Sequence, residues 1–383
     1  MPNRPFRLLL NAQPFGFGPA AAISAIAPHL AGLGELSFAG SCHSGELQER
    51  RLFHSMHTLS PEAGPSWRQA IASCDVLVTA MDTELALLAL EMGRRVVFYD
   101  ALLWFWGKGE HWGQLCRIMS HPMALYLAQD FMGVRERLAM LACADAVQVV
   151  PPLVSAPSTV GVERSKGRVL VNLGGLKNPY MNGAVLDQYA ERLVQAVGNV
   201  LPAGTQLTVA TSQATSGRVA KAQTQTPAQI AEHLQRCEFA LCTPGLGNIF
   251  EAAAYGAPTL WLPPANASQG QQLQLLREAG CVDAYLDWPA LGHKVDYFAP
   301  ELQCLETLQR TMTSFATADG FSRLVTSLGV AIRRLGEVQA GAATGLIPRF
   351  GTDGAIAVAG HIAKWLEEGT CRAVRPGLSR TPL

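Results

Sequence analysis

Short apolar runs alternate along this chain with longer stretches of helix-forming composition, and glycine- or proline-rich turns sit between them. In the first half the runs are 6–12, 36–39, 75–80, 95–99 and 146–150, with helices expected over 20–33, broken or kinked at Pro28, over 83–92 and through most of 115–143. In the second half the runs are 168–173, 206–210, 239–242 and 259–262. Helices are expected over 186–197, over 225–236 with Thr226-Pro227 as its cap and first residue, over 249–255, within 302–335 and over 355–368. Apolar strands separated by helices predict parallel sheets, because parallel strands need a crossover between them. The prolines from Pro151 onward mark a boundary. The expected division is a first domain over 1–150, a linker over 151–167, a second domain over 168–350, and a final helix and tail over 351–383 that can pack back on the first domain.

The stretch from Phe239 to Gly280 carries the most chemistry. A strand stops at Thr243-Pro244-Gly245-Leu246-Gly247-Asn248, a helix follows, and Gly256-Ala257-Pro258 ends it before the next strand. Gly245 and Gly247 let a ligand approach the backbone, and the N–H groups of the following helix N-terminus form a ready anion site that suits a diphosphate. Glu251, one turn into the helix, can accept hydrogen bonds from the vicinal hydroxyls of a ribose. Ser268-Gln269-Gly270-Gln271-Gln272, read as a loop, adds neutral hydrogen-bonding groups suited to a sugar. The competing reading is a tight structural βα turn.

This run resembles the donor-nucleotide motif of GT-B glycosyltransferases and is similar to the lipid-II-forming N-acetylglucosaminyltransferase and the macrolide and plant-type sugar transferases. The resemblance implies an α/β protein of the GT-B class, two Rossmann-like doubly wound parallel-sheet domains facing a cleft. It places Gly245 and Gly247 at the diphosphate, Glu251 at the ribose, and Gln269, Gln271 or Gln272 at the sugar, with Thr243 and Asn248 in the same turn. Two departures stand out: Thr243-Pro244 replaces the usual His or Ser, and Gly270 stands where one of a glutamine pair is expected. Gly174-Gly175 after the strand 168–173 resembles a second phosphate-bordering turn, with Lys177 as a candidate phosphate partner and Ser212 in the strand-end segment that holds the nucleobase.

Composition narrows the partners. Thirty basic and thirty acidic residues leave no net charge, which argues against a nucleic-acid partner. Nine scattered cysteines without a C-x-x-C pair fit reduced thiols and a cytoplasmic setting. No apolar run reaches the length of a membrane span, and Leu8-Leu9-Leu10 after Arg4 and Arg7 reads as a strand rather than a signal sequence. His54 and His57 lack the further ligands a metal site needs, and the absence of a D-x-D run fits a reaction without metal or other cofactor.

The first turn, Pro14-Phe15-Gly16-Phe17-Gly18-Pro19, is an acceptor-side candidate through Phe15, Gly16, Phe17 and Gly18. As a dinucleotide fingerprint it is incomplete, since Ala21 occupies the third glycine position. The turn lacks the His that many inverting GT-B enzymes carry there as general base. Strand-end placement makes Asp100 and Asp82 the base candidates, Asp82 competing with an N-cap role, and His111 and Glu110 secondary ones. Trp104, Trp106 and Trp112 crowd the segment after Asp100, and Trp104 and Trp106 are candidate acceptor-stacking residues. Asp-x-Leu-x-Trp-x-Trp is similar to a segment of enzymes that glycosylate cytosine with glucuronate in nucleoside-antibiotic pathways. The expected activity is sugar transfer from a nucleotide diphosphate, UDP first among them, to a small acceptor such as a nucleobase. The alternatives are a nucleotide-sugar hydrolase or 2-epimerase and a binding protein without turnover.

Overall fold

A computed structural model describes residues 5–373 apart from 61, 63, 108–109, 156–162, 337 and 339. The first sheet contains β1 (Phe6–Ala12), β2 (Gly34–Gly40), β3 (Ser55–Thr58), β4 (Val76–Ala80), β5 (Arg95–Asp100), β6 (Ala124–Gln129) and β7 (Val147–Val150), in the order β3-β2-β1-β4-β5-β6-β7. The second contains β8 (Arg168–Asn172), β9 (Gln206–Ala210), β10 (Ala222–Gln223), β11 (Phe239–Cys242), β12 (Thr259–Trp261) and β13 (Ala284–Tyr285), in the order β10-β9-β8-β11-β12-β13. Neighbouring strands are parallel throughout, with registers such as Leu8 beside Val76 and Val171 beside Leu241. Each sheet reverses direction beside its first strand, between β1 and β4 and between β8 and β11. At such a switch point the loops beyond the strand ends part and leave a crevice.

Every residue of β4 and of β11 is buried. Helices cover both faces of each sheet, which is why these strands read as unbroken apolar runs. The two domains share a core: Phe131 of the first lies 6.0 Å from Phe250 and 6.1 Å from Phe350 of the second, ring centre to ring centre. The helix Gly354–Ala373 crosses back, burying Val358, Ile362 and Leu366 in one cluster with Ile23, Ile26 and Leu30 of the helix Gly18–Leu30. Burial of such a side chain is worth about 1.5–3 kcal/mol. Arg95 fastens the crossing by stacking 3.9 Å over the Trp365 ring and donating to its carbonyl at 2.6 Å. Gly354 is required where the helix begins, since a Cβ there would lie 2.1 Å from the Pro151 carbonyl oxygen.

Two expectations change. The stretch 115–143 is not one helical region: the helix Glu110–Met119 ends before β6, whose ALYLAQ lies buried between β5 and β7. Sheet burial there overrides the helical preference of Ala and Leu. The segment 268–272 is not a loop but the start of the helix Ala267–Glu278, capped by the Asn266 side chain on the Gln269 N–H at 2.9 Å. His57 lies on the edge strand β3 and accompanies His54 at the surface. Among the described residues no group of three or more His, Cys, Asp or Glu is placed to hold a metal, and no helix is long and apolar enough to cross a membrane.

Candidate functional site

The strand ends of both sheets meet at a cavity of about 990 Å³. From the first domain its walls are the turn Phe15–Gly18, Met81, Tyr99 and the aromatic segment with Phe105, Trp106, His111 and Trp112. From the second they are Asn172, Gly174 and Gly175, Thr211, the turn Gly245–Asn248, Glu251, and the helix start with Ser268, Gln269, Gln271 and Gln272.

The glycine turn is built from beneath. Asn172 at the end of β8 donates to Asn248 Oδ1 at 3.0 Å, and Asn248 Nδ2 donates to the Thr243 carbonyl at 2.9 Å. Thr243 is fully buried under the turn and lies so close to Gly175 that a Cβ on that glycine would come within 2.3 Å of Thr243 Oγ1. Thr243 therefore shapes the turn without facing the cleft, which corrects its place among donor contacts. Above the turn no atom lies within 4 Å of the Cβ positions of Gly245 and Gly247, so the backbone is open to a ligand.

The helices Gly18–Leu30, Pro227–Arg236, Leu246–Ala254 and Ala267–Glu278 start at the cavity wall without an acidic residue in the first turn, while Glu301–Thr313, which also starts there, carries Glu301 in its first turn. The dipole ends of the first group carry no compensating carboxylate and favour an anion. The described lining residues include no Lys or Arg, and Glu251 and Glu301 are the only carboxylates among them.

Glu251 is 9% exposed. Desolvation pushes its carboxyl up to about 7, opposed by hydrogen bonding from the Ser155 hydroxyl and N–H. The Tyr255 hydroxyl holds the Ser155 carbonyl. Gln269 is committed to structure: its Oε1 accepts from the Ala265 N–H and its Nε2 donates to the Gly175 carbonyl, both at 2.9 Å. Gln271 donates to the Tyr297 carbonyl at 2.8 Å. Gln272 is 2% exposed and its Oε1 has no hydrogen-bond partner in the protein. Gly270 is explained by packing, since a Cβ there would lie 2.2 Å from the Tyr297 ring.

Several candidates do not reach the cavity. Asp100 is wholly buried and accepts from the Tyr126 hydroxyl at 2.5 Å, the Leu102 N–H at 2.7 Å and the Trp106 indole N–H at 3.1 Å. Desolvation raises its carboxyl despite these donors, and its role is to anchor Trp106, not to meet an acceptor. Asp82 caps the helix Thr83–Glu91 through the Leu85 N–H at 3.0 Å, with burial pushing its carboxyl up to about 6. Trp104 turns away to pack 5.5 Å from Phe131, ring centre to ring centre. Lys177 and Ser212 border a separate small cavity behind Gly174, and Ser212 caps the helix Gln213–Ser216.

Among Asp100, Asp82 and His111 only His111 lines the cavity. Its ring centre is 4.2 Å from that of Trp106, its Nε2 is buried without a partner, and burial lowers its pKa, so the ring stays neutral and able to accept a proton. Lys108 and Gly109 lie outside the described residues, as does the side chain of Glu110. Sequence reasoning missed Ser155 of the linker, Tyr297 of a loop without a motif, Glu301 at the start of the helix Glu301–Thr313, and His43, which supports the Phe15–Gly18 turn from below.

No family model and no curated protein matches the chain. Among solved structures it is similar to a UDP-glucosyltransferase from Polygonum tinctorium capable of glucosylating indoxyl, at 13% identity and TM-score 0.49 over 96% of this chain and 100% of that one. It is also similar to MurG of Acinetobacter baumannii, at 14% identity and TM-score 0.46 over 95% and 100%. A third is the glycosyltransferase SsfS6 of Streptomyces sp. SF2575 complexed with thymidine diphosphate, at 14% identity and TM-score 0.46 over 95% and 99%.

Proposed function

We propose that the protein is a glycosyltransferase that moves a sugar from a nucleoside diphosphate to a small planar acceptor. One observation carries the reading: the open Gly245–Gly247 backbone and the start of the helix Leu246–Ala254 face the cavity, with Glu251 one turn further and an aromatic wall opposite. In this reading the N–H groups of the turn hold the diphosphate, Glu251 accepts from the ribose hydroxyls, and Thr211 and Gln225 border the base. Gln272 Oε1 takes a sugar hydroxyl. The acceptor lies between Phe15–Gly18 and Trp106, its proton passes to His111 Nε2, and the freed electron pair attacks the anomeric carbon. The bond to the diphosphate breaks, and the departing charge meets the helix dipole. The helix ends that carry no acidic residue supply the positive field, so the reaction is assigned no metal.

UDP is the carrier proposed first, with cytosine-like and phenolic acceptors. The test is a thermal-shift series with UDP, dTDP, GDP and NAD on the wild type and on Gly247→Val, which fills the open space above the turn. Stabilisation by one nucleoside diphosphate, lost in the variant, supports the reading. No response to any diphosphate, or a response to NAD alone, overturns it.

A further inference from the structure

The loop after β2 does more than connect strands. Cys42 adopts a left-handed backbone with φ of 51°, a conformation costly for a residue with a side chain, and the following His43 turns inward and is 4% exposed. His43 Nε2 is 2.6 Å from the carbonyl oxygen of Gly16, and its ring meets Phe17 edge-on with centres 4.9 Å apart. A carbonyl only accepts, so Nε2 carries the proton and the buried Nδ1, which has no partner in the protein, carries the lone pair. The loop itself is stapled to the helix Gly18–Leu30, with Gln48 donating to the Ala20 carbonyl at 2.9 Å and Ser24 to the Leu47 carbonyl at 2.9 Å.

What His43 holds is the point where the first domain touches the donor side. A Cβ on Gly16, whose φ is +59°, would lie 3.6 Å from the Lys177 carbonyl oxygen, and one on Gly174 would lie 3.6 Å from the Phe17 ring. Phe15 faces Tyr180 across the cleft at 6.1 Å between ring centres. We infer that His43 is a positioning residue for the acceptor: it fixes the Phe15–Gly18 turn in register against the Gly174–Tyr180 segment and does not touch substrate itself. This rests on the transferase reading for the word acceptor, but not for the mechanical role.

The test uses H43F, which keeps a ring and removes the donor, and H43Q, which retains an N–H donor. Hydrogen exchange at the amides of Gly16, Phe17 and Gly18 should quicken about fivefold in H43F, the scale of a net hydrogen bond of about 1 kcal/mol. The KM for 4-methylumbelliferone as probe acceptor should rise by a similar factor while UDP affinity stays within twofold; H43Q should recover most of both losses. Wild-type exchange in H43F, or a matching loss of UDP affinity, overturns the assignment. Independently of any variant, long-range nitrogen–proton NMR of the wild type must show the Nε2–H tautomer, and an Nδ1–H tautomer refutes it. If UDP does not bind at all, the donor reading fails, while the exchange and tautomer results still decide the role of His43.

Discussion

Replacing Glu251 by Gln separates the carboxylate's cost to folding from its service to a ligand. The native protein holds the Glu251 proton up to about pH 7, against 4.5 for the free side chain, because burial disfavours the charge. A raised acid contributes its stability fully below the unfolded value and loses it as pH rises through the folded one. At about 1.36 kcal/mol per unit, the wild type gives up on the order of 3 kcal/mol between pH 4.5 and 7 on account of this group. Glu251→Gln keeps the shape and removes the titration. Urea unfolding of both proteins from pH 4.5 to 8 measures the difference, in which Asp82, with its carboxyl raised to about 6, and Asp100, also raised, cancel. The variant should gain on the wild type by about 3 kcal/mol across that window and should bind UDP more weakly at pH 8. Two parallel pH profiles would refute the buried, proton-holding carboxyl, and unchanged UDP affinity would refute its contact with the ribose.

Other outcomes follow from neighbouring contacts. Asp100→Asn leaves one oxygen to serve three donors and should cost about 1–3 kcal/mol in urea unfolding, with a change in Trp106 fluorescence; a neutral result would return Asp100 to solvent and to the list of bases. Gly270→Ala drives a methyl into Tyr297 and should cost about 1–3 kcal/mol, read from the melting temperature, whereas Gly247→Ala, in open space, should leave the melting temperature unchanged. His111→Ala should lower kcat by about a hundredfold or more and abolish the acidic limb of the pH–rate profile, while UDP affinity holds. Treatment with EDTA should leave turnover unchanged, measured as nucleotide release.

The sheet architecture was legible because strands covered on both faces leave unbroken apolar runs, as in β4 and β11. β6 was hidden because its alanines and leucines continue the helical composition on either side, and only its neighbours β5 and β7 decide its state. The glycine turn was legible because Gly245 and Gly247 announce both a tight path and an absent side chain. The acid–base assignments failed at Asp100 for a reason of strand geometry. A strand end locates a backbone, but successive side chains leave on opposite faces, and here Tyr99 reaches the cavity while Asp100 points to Tyr126. Gln269 shows the same limit on a helix: the sequence places it at the cleft, and only the packing reveals that both ends of its amide are already bonded. His43 left no local signal, since its partner Gly16 lies in another loop.

The most direct measurement is mass spectrometry of the protein incubated with UDP-glucose and, in parallel, with other UDP-sugars, each with and without 4-methylumbelliferone or cytosine. Sugar transfer predicts a glycoside of the acceptor together with free UDP, formed only when both substrates are present and lost in Gly247→Val. Free sugar released equally with and without acceptor would make the cleft a hydrolase site, and no consumption of any donor would contradict the transferase account.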